Sequence, residues 1–312
     1  MQIKVADGKQ SDLDALTALL LRTDVDARTR DRIAQEIRTI GAGDKGERDA
    51  AYEIEFHMRD NRNWATIHDL RLEVGERVAQ IDHLLIDRLL TIWVCESKHF
   101  AEGVAINEHG EWHRYWNGRK HGIASPVEQN RKHITVLRDV FDQGRVTLPR
   151  RLGITIKPSF KSLILVSNGA RITRPPRSAR VEGIESVIKC DQLRSTIDKR
   201  ADEGNPLELA KLVGRDTLED VARQLAVLHR PLRTDWAAWF GLAAEPSASS
   251  APRPADPPAS SAPPSAPGQP TRQRLVCAAC GTTVSYSVAK FCWFNKARFG
   301  GHVLCMDCQR TA

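Results

Sequence analysis

Two apolar segments separated by a short polar break make up the stretch from Ala79 to Lys98, AQIDHLLIDRLLTIWVCESK. This pattern predicts a β-hairpin that turns near Asp87. Positions 82 and 96 have their midpoint at 89, inside the break, so we expect Asp82 to lie opposite Glu96 on one face of the hairpin. Lys98 follows Glu96 by two residues, and the alternation of side chains along a strand places it on that face as well.

Helical periodicity precedes the hairpin. Apolar stripes within residues 11–40 predict helices, and the glycines of Gly41–Gly46 predict a break after them. A further helix is expected from about Lys45 to Arg59 with Glu47 at its start, where a carboxylate would favour the helix dipole. Trp64–Leu70 is expected to be the first strand of the chain.

The segments after the hairpin predict an α/β fold. The polar stretch Phe100–Gly122 suggests a loop or irregular hairpin near the two acids, and Ser125 followed by Pro126 and Glu128 has the pattern of a capping box that starts a helix. Strands and helices then alternate, which predicts a mixed β-sheet core flanked by helices. The expected elements are the strands Ser159–Ser167 and Val181–Lys189 and the helices Asp191–Lys199 and Asp216–His229, with Trp236, Trp239 and Phe240 capping the core.

Charge and hydropathy narrow the function classes. The formal charge of +7 and the pI near 9.1 favour a polyanionic partner such as nucleic acid. No apolar run approaches the roughly 18 residues of a membrane span, and the N-terminal stretch lacks the pattern of a secretory signal. These features predict a cytoplasmic protein that does not engage a membrane.

The cysteines predict a zinc site near the C-terminus. Four of the seven form two C-x-x-C pairs, Cys277 with Cys280 and Cys305 with Cys308, which is the spacing of a zinc ribbon with two knuckles. Disulfide bonds are the alternative, but the odd total and the late cluster favour metal binding in a reducing compartment. Cys292 and His302 are spare potential ligands of secondary weight.

Basic and aromatic residues alternate between the two cysteine pairs. Some of the aromatic side chains must form the small core of the ribbon, yet exposed rings beside cations are typical of surfaces that stack bases and bind phosphates. Binding of another protein through the ribbon is the alternative. The residues expected to bind nucleic acid are Lys290, Trp293, Lys296, Arg298 and Phe299.

The two acids and the lysine of the hairpin have two interpretations. They could form an exposed polar face with a cross-strand ion pair, or they could hold a divalent metal ion. Mg²⁺ prefers hard oxygen ligands and is usually bound by one or two carboxylates together with substrate phosphate. A lysine beside such a ligand can orient the attacking water and offset negative charge on the phosphate.

Four short motifs carry a resemblance to a known family. In chain order they are Gly46-Glu47, Gln80-Ile81-Asp82-His83, Glu96-Ser97-Lys98 and Ser125-Pro126-Val127-Glu128-Gln129-Asn130. The set resembles the nuclease-related domain (NERD) of the PD-(D/E)XK nuclease superfamily over about residues 41–145. Ile81 replaces the proline of the superfamily name, a position that varies among its members.

The resemblance implies a role for each matched residue and a restriction-endonuclease-like fold. Asp82 and Glu96 would ligate Mg²⁺ or Mn²⁺, with the backbone carbonyl of Ser97 as a further ligand, and Lys98 would position the water. Glu47 would face the same site, Gln129 would orient the water or a phosphate, and His83 would point to the opposite face in a structural role. The implied activity is hydrolysis of phosphodiester bonds in nucleic acid, with DNA favoured over RNA as the substrate. The alternative is a catalytically silent nucleic-acid-binding or scaffold protein in a DNA repair or defence assembly.

Composition and motifs together suggest five segments. Residues 245–270 contain nine prolines among Ala and Ser and cannot bury a core, which predicts a flexible linker. The expected segments are a helical preface (1–40), a NERD domain (41–200, motif core 46–145), a helical extension (201–244), the linker (245–272) and a zinc ribbon (273–312).

Overall fold

The computed structural model describes residues 1–176, 180–203, 206–243, 276–284, 288, 289, 292, 299 and 302–310. The chain divides into two compact units, Met1–Pro246 and Ser247–Ala312. The predicted linker lies outside the described residues. Within the described ranges, no helix has both the length and the apolar character that crossing a membrane requires.

The first unit contains six α-helices and twelve strands among its described residues. The helices are α1 (Gln10–Leu21), α2 (Ala27–Met58), α3 (Pro126–Asp142), α4 (Leu193–Asp202), α5 (Arg215–Val227) and α6 (Trp236–Trp239). The strands are β1 (Gln2–Lys4), β2 (Trp64–Val74), β3 (Arg77–Asp87), β4 (Thr91–Lys98), β5 (Gly103–Ile106), β6 (Trp112–Trp116), β7 (Arg119–Ile123), β8 (Arg150–Arg151), β9 (Ile154–Thr155), β10 (Ser159–Val166), β11 (Arg171–Thr173) and β12 (Val187–Lys189).

A six-stranded mixed sheet forms the centre of this unit, in the order β1-β2-β3-β4-β10-β12. Strands β2, β3 and β4 are antiparallel neighbours, whereas β10 runs parallel to β4 and to β12, and β1 runs parallel to β2. Helices α3 and α5 pack on one face, against Leu84 and Val94 among others, and α2 and α4 pack on the other, against Leu85 and Trp93. The predicted α/β fold with a mixed sheet is confirmed.

Helix α2 corrects the predicted break at Gly41–Gly46. The helix runs without interruption from Ala27 to Met58, and Asp26 caps its start by accepting a hydrogen bond from the Thr29 amide. Glycine costs about 1 kcal/mol per residue in a helix interior, but both ends of α2 are stabilised by packing: Ile33 lies in a cluster with α1, and Ile54 lies against the sheet. The predicted boundary at residue 40 falls inside this helix.

Two strand predictions are corrected by the sheet. Residues 2–4, expected in a helical preface, form the edge strand β1, which pairs with β2. Of the predicted strand Val181–Lys189 only the last three residues pair, because Gly183 adopts a positive φ and a 3₁₀ turn at Ile184–Ser186 follows it. The predicted strand from Ser159 is confirmed as β10.

The C-terminal aromatic residues of the first unit pack elsewhere than predicted. Trp236 and Phe240 contact the helical cluster around Leu16 and Ile33, and the Trp236 indole donates a hydrogen bond to Asp12. They therefore cover α1 and the N-terminal half of α2, and the prediction that they cap the α/β core is wrong.

A second, smaller sheet follows the central hairpin in the chain. Its order is β11-β5-β6-β7, and β6 and β7 form an antiparallel hairpin joined at Asn117 and Gly118. The sequence predicted a loop or irregular hairpin within Phe100–Gly122, whereas the structure has three strands in regular antiparallel register there. Trp112 at the start of β6 is buried with Phe100 and Val104, which fixes this sheet to the main core.

Candidate active site and cysteine cluster

The β3–β4 hairpin has the register that the sequence predicts. His83 pairs with Cys95 and Ile86 with Ile92, and continuing this register by one pair places Asp82 opposite Glu96. The Asp87 carboxylate closes the turn by accepting hydrogen bonds from the amides of Leu89 and Thr91. Asp87 therefore has a structural role at one end of the hairpin, while Asp82 and Glu96 lie towards the other end.

Asp82 is tied to the motif residue between Glu96 and Lys98. The backbone amide and the hydroxyl of Ser97 both donate to Asp82 Oδ2, at 2.8 and 2.7 Å. These bonds hold the carboxylate of β3 against β4. Ser97 therefore orients Asp82 through its backbone amide and its hydroxyl group.

Glu96 is an almost fully buried carboxylate with one oxygen paired and one unpaired. Its side chain is 2% exposed; Oε1 lies 2.6 Å from the Lys98 ammonium, and Oε2 is buried without a hydrogen-bond partner. His133 Nδ1 of α3 is 3.7 Å from Oε2. Burial and then the charge of Lys98 lower the pKa of His133 to about 4, so this imidazole is neutral near pH 7 and does not neutralise Glu96.

Glu47 reaches the same cleft from the interior of α2. The prediction that it opens a helix is wrong, because twenty residues of α2 precede it, and the helix-dipole argument does not apply there. The adjacent Gly46 explains the position of the helix: a Cβ at residue 46 would lie 2.8 Å from the Cβ of His99. Gly46 therefore permits the close approach of α2 to the end of β4 that brings Glu47 to the acids.

One cleft of about 780 Å³ collects these groups with cationic and aromatic residues of other elements. Its carboxylates come from α2, β3 and β4, and its cations from α2, β4 and β6. The lining residues are Gln35, Arg38, Thr39, Ala42, Gly43, Glu47, Asp82, Glu96, Ser97, Lys98, His99, Arg114 and Trp116.

The three carboxylates of the cleft have pKa values above their ordinary range. Burial, followed by the charge of Asp82, raises the pKa of Glu47 to about 7 and the pKa of Glu96 to about 8. Burial also raises the pKa of Asp82, although the Ser97 hydrogen bonds act in the opposite direction. Desolvation and mutual repulsion therefore disfavour ionisation of all three groups, and a cation at the site would favour it.

Sequence reasoning missed two charged residues of this region, Asp69 and Lys9. Asp69 lies on β2 between residues that pair with His83 and Ile81, which is the position facing Asp82, and it has a φ of 52°. Asp69 Oδ1 accepts a hydrogen bond from Gln80, and Oδ2 lies 3.8 Å from the Lys9 ammonium. No motif marks either residue, since their proximity depends on β2 pairing and on the packing of the N-terminal segment.

Helix α3 places the remaining motif residues. Ser125 caps the helix by accepting from the Glu128 amide, while the Glu128 carboxylate pairs with Arg131. Gln129 is half-buried in the first turn and is absent from the cleft lining, so the structure does not bring it together with the acids. The neighbouring Asn130 is fully buried, and its amide donates to the carbonyls of Val94 and Leu163 and to the Ser162 hydroxyl. Asn130 thus attaches α3 to the two central parallel strands.

His83 alternates with Asp82 along β3, and its side chain lies on the face of the sheet opposite to the two hairpin acids. Its Nδ1 is 2.8 Å from Nδ1 of His68, whose Nε2 is 3.0 Å from the buried Glu55 of α2. Burial and then His68 lower the pKa of His83 well below its usual range. This network joins α2 to β2 and β3, in agreement with the structural role predicted for His83.

The donor set of the cleft fits a hard divalent cation. Glu47, Asp82 and Glu96 offer carboxylate oxygens, which are the hard ligands that Mg²⁺ and Mn²⁺ prefer. One of these oxygens, Oε2 of Glu96, is buried without a hydrogen-bond donor. As they stand, the cleft carboxylates do not converge into a ligand cluster of three or more. One or two carboxylates are enough for Mg²⁺ when waters and a substrate phosphate complete its shell, so Asp82 and Glu96 could hold an ion as a pair.

The raised carboxylate pKa values predict a pH dependence for the first unit. Between about pH 7 and 8 the histidines of the unfolded chain are mostly neutral, as are His83 and His133 in the folded chain, whereas folded Glu47 and Glu96 bind more protons than the unfolded chain does. The free energy of unfolding should therefore fall as the pH rises through this window without divalent ions. Mg²⁺ or Mn²⁺ binds the ionised carboxylates, so the increase in melting temperature that it causes should be larger at the upper end of the window.

Thermal unfolding followed by circular dichroism, with and without each ion, measures both effects. In Glu96→Gln the neutral amide cannot titrate, and the slope with pH should decrease. An ion effect that is independent of pH, or unchanged in Glu96→Gln, would contradict the assignment of the cation to these carboxylates.

The cysteine cluster forms within the described part of the second unit. The ligand sulfurs of Cys277, Cys280, Cys305 and Cys308 all lie within 4.8 Å of one another, and all seven cysteines of the chain are free thiols. Backbone amides, that of Cys305 first, lower the pKa of Cys277 to about 6, whereas the neighbouring thiols, that of Cys305 first, raise the pKa of Cys308 to about 12; zinc binding would displace the protons from all four sulfurs. This arrangement fits a tetrahedral zinc site, as the spacing predicts.

Cys292 and His302 lie outside this quartet. Cys292 is fully buried, and its sulfur contacts the Leu304 backbone and the Gln309 amide. His302 is exposed. Cys292 therefore packs inside the cysteine-rich element and is not one of its clustered ligands.

Most of the predicted nucleic-acid-binding residues of the ribbon cannot be placed. Lys290, Trp293, Lys296 and Arg298 lie outside the described residues. Phe299 is described and is 4% exposed. Its ring therefore contributes to packing in the cysteine-rich element, and its part in nucleic-acid binding stays a prediction.

Comparison with known proteins identifies one region of the chain. Residues 42–165 match the family model of the nuclease-related domain, NERD. No curated protein and no solved structure matches the chain. The matched region includes Glu47, Asp82, Glu96, Lys98 and Gln129, whereas Lys9 and the cysteine cluster lie outside it.

Proposed function

We propose that the nuclease-related domain carried by residues 42–165 makes this chain a metal-dependent nuclease that hydrolyses phosphodiester bonds, in DNA rather than RNA. One observation supports this most directly: Glu47, Asp82, Glu96 and Lys98, drawn from three elements, line one cleft. A solvated surface ion pair, the alternative interpretation of the hairpin, would not place a carboxylate that is 2% exposed beside two further acids.

Asp82 and Glu96 would hold Mg²⁺ or Mn²⁺, with the Ser97 carbonyl as a further oxygen ligand. When bound, such an ion activates a water molecule and stabilises negative charge on the phosphate. Ser97 keeps Asp82 in place through two donors, and Glu96 provides a buried oxygen with no competing partner. These features fix the Asp82 carboxylate against β4 and leave one oxygen of Glu96 available as a ligand.

Lys98 would position the attacking water and offset charge on the phosphate. Its ammonium is held 2.6 Å from Glu96 Oε1 and is partly exposed to the cleft, so it can donate both to Glu96 and to a bound group. Glu47, with a pKa of about 7, is a group that can take up or release a proton near neutral pH at the same cleft. Arg38 and Arg114 on the cleft wall would attract the phosphate backbone.

The cysteine cluster would bind Zn²⁺ and assist nucleic-acid binding. A second binding element on the same chain raises the effective concentration of substrate near the first. Contact with a protein partner through this element is the other interpretation. If removal of residues 273–312 abolished salt-dependent DNA binding, nucleic-acid binding by the element would be favoured.

A catalytically silent binding protein is the second candidate function. It is favoured by the finding that the cleft carboxylates do not form a converged ligand cluster as they stand. In that case the chain would bind nucleic acid with an affinity similar to that of an active enzyme, but no divalent ion would produce cleavage.

A cleavage assay distinguishes the two functions. Purified full-length protein should cut DNA on addition of Mg²⁺ or Mn²⁺ and should be inactive after these ions are removed by gel filtration; chelators are avoided because they could also strip the cysteine cluster of zinc. Single-stranded, duplex and branched DNA and RNA of one sequence form the substrate panel. Binding without cleavage of any substrate, with either ion, would refute the proposed activity and support the silent candidate.

A further inference from the structure

We propose that the β6–β7 hairpin binds single-stranded DNA beside the acidic cleft, with Trp116 as the surface on which an unpaired base stacks. The inference rests on the proposed function, from which it takes DNA as the polymer and the acidic cleft as the place of cleavage. It adds the strandedness of the substrate and the element that selects it.

One face of the hairpin carries cations around an exposed ring. Arg114 and Trp116 alternate on β6 and therefore share a face. Their pairing partners on β7, His121 and Arg119, share that face too, because directly opposed residues of antiparallel strands project to the same side. Trp112 lies on the same face nearer the core, where it is buried.

Trp116 presents a large exposed ring at the end of β6. Its surface is 53% exposed, and the Arg114 guanidinium lies 5.9 Å from its ring centroid. Both side chains line the cleft that contains Asp82 and Glu96. An exposed aromatic ring flanked by guanidinium groups is the combination that stacks a base and binds the neighbouring phosphate.

The tip of the hairpin is held in place by a carboxylate. Glu102 accepts hydrogen bonds from the amides of Asn117 and Gly118, at 2.6 and 3.0 Å. These two residues have φ values of 49° and 69°, as in the tight turns that suit β-hairpins. Trp116 is the last residue of β6, directly before this anchored turn. Because the backbone there is already ordered, less entropy is lost when a base binds.

Charge and stacking together favour a single strand over a duplex. The acids of the cleft repel phosphate, so the attraction must come from cations such as Arg114 and Arg119. A base can lie flat on Trp116 only when it is unpaired and unstacked, as in single-stranded DNA, a flap or a frayed end. The hairpin would accept such a base while the adjoining backbone enters the cleft.

Binding of fluorescein-labelled single-stranded DNA and of the matching duplex by full-length protein tests the proposal. Anisotropy is measured without divalent ions, so that no cleavage occurs. Stacking of one base contributes about 1–3 kcal/mol, so Trp116→Ala should weaken single-strand binding by roughly tenfold and change duplex binding much less. Trp116→Phe should retain most of the affinity, and Trp239→Ala, which removes another exposed indole, should bind as wild type.

Arg119→Ala should weaken single-strand binding and reduce the slope of log K against log salt by about 0.7, the value for one lost phosphate contact. The proposal is overturned if Trp116→Ala binds single strands as wild type does, or if it loses duplex and single-strand binding equally. Because binding is measured without turnover, this result is independent of catalysis. A protein that binds single strands through Trp116 but never cuts them would refute the nuclease and leave this inference standing.

Discussion

Asp82→Asn is expected to abolish ion-dependent cleavage without unfolding the protein. The amide has the shape of the carboxylate, and its oxygen can still accept from the Ser97 amide and hydroxyl, which now bond to Oδ2. It lacks the negative charge that a divalent cation requires, so cleavage should fall by more than about a hundredfold. Since Asp82 also raises the pKa values of Glu47 and Glu96 by repulsion, the melting temperature without divalent ions should stay equal or increase.

The matched control is Asp60→Asn, which changes an exposed aspartate just beyond the end of α2. It removes the same charge from the chain and should leave both cleavage and the melting temperature close to wild type. Lys98→Met, which removes the partner of Glu96, should also lose activity. Cleavage by Asp82→Asn at the wild-type rate would mean that these acids are not the metal ligands.

Cys305→Ser is expected to abolish zinc binding and to unfold the element around the cysteine cluster. Four thiolates complete the tetrahedron of a structural zinc site, and such sites contribute about 10–16 kcal/mol of apparent binding free energy in zinc-finger peptides. The bound zinc per chain, measured by mass spectrometry of metals, should fall from about one equivalent to near zero. Amide hydrogen exchange should become fast in the ranges 276–284 and 302–310 and remain slow in β3 and β4.

Cys292→Ala provides the comparison for the second prediction. This substitution also removes a thiol from the same element, but the thiol lies outside the quartet. The zinc content should therefore stay near that of wild type, although the loss of a buried side chain lowers the stability of the element. Full zinc occupancy in Cys305→Ser would contradict the assignment of the cluster.

The β3–β4 hairpin is the part of the fold that its sequence predicts best. Its turn, its register and the shared side of Asp82, Glu96 and Lys98 depend on contacts between residues fewer than twenty positions apart and on a two-residue periodicity. The N-terminus of α3 is predicted for the same reason, because Ser125 caps it locally. The cysteine spacing is likewise a local property, since each C-x-x-C turn presents two thiols to one ion.

Predictions failed where distant packing overrides local preference. The glycines from Gly41 to Gly46 favour a break, but burial at both ends of α2 keeps the helix continuous, and Gly46 is required by the approach to His99. Two neighbours of the hairpin acids, Asp69 and His133, reach them through strand pairing and helix packing that no motif encodes.

The sequence by itself therefore determined which chemical groups the protein carries: the hairpin acids, the lysine and the four clustered cysteines, in local patterns that constrain their geometry. Only the tertiary structure decided which other groups surround them. It placed Glu47 on a continuous helix, left one oxygen of Glu96 buried without a partner, and brought Arg114 and Trp116 of a separate sheet to the same cleft. The physical reason is that charge, burial and proximity in this cleft depend on contacts between distant segments, which are established only when the core packs.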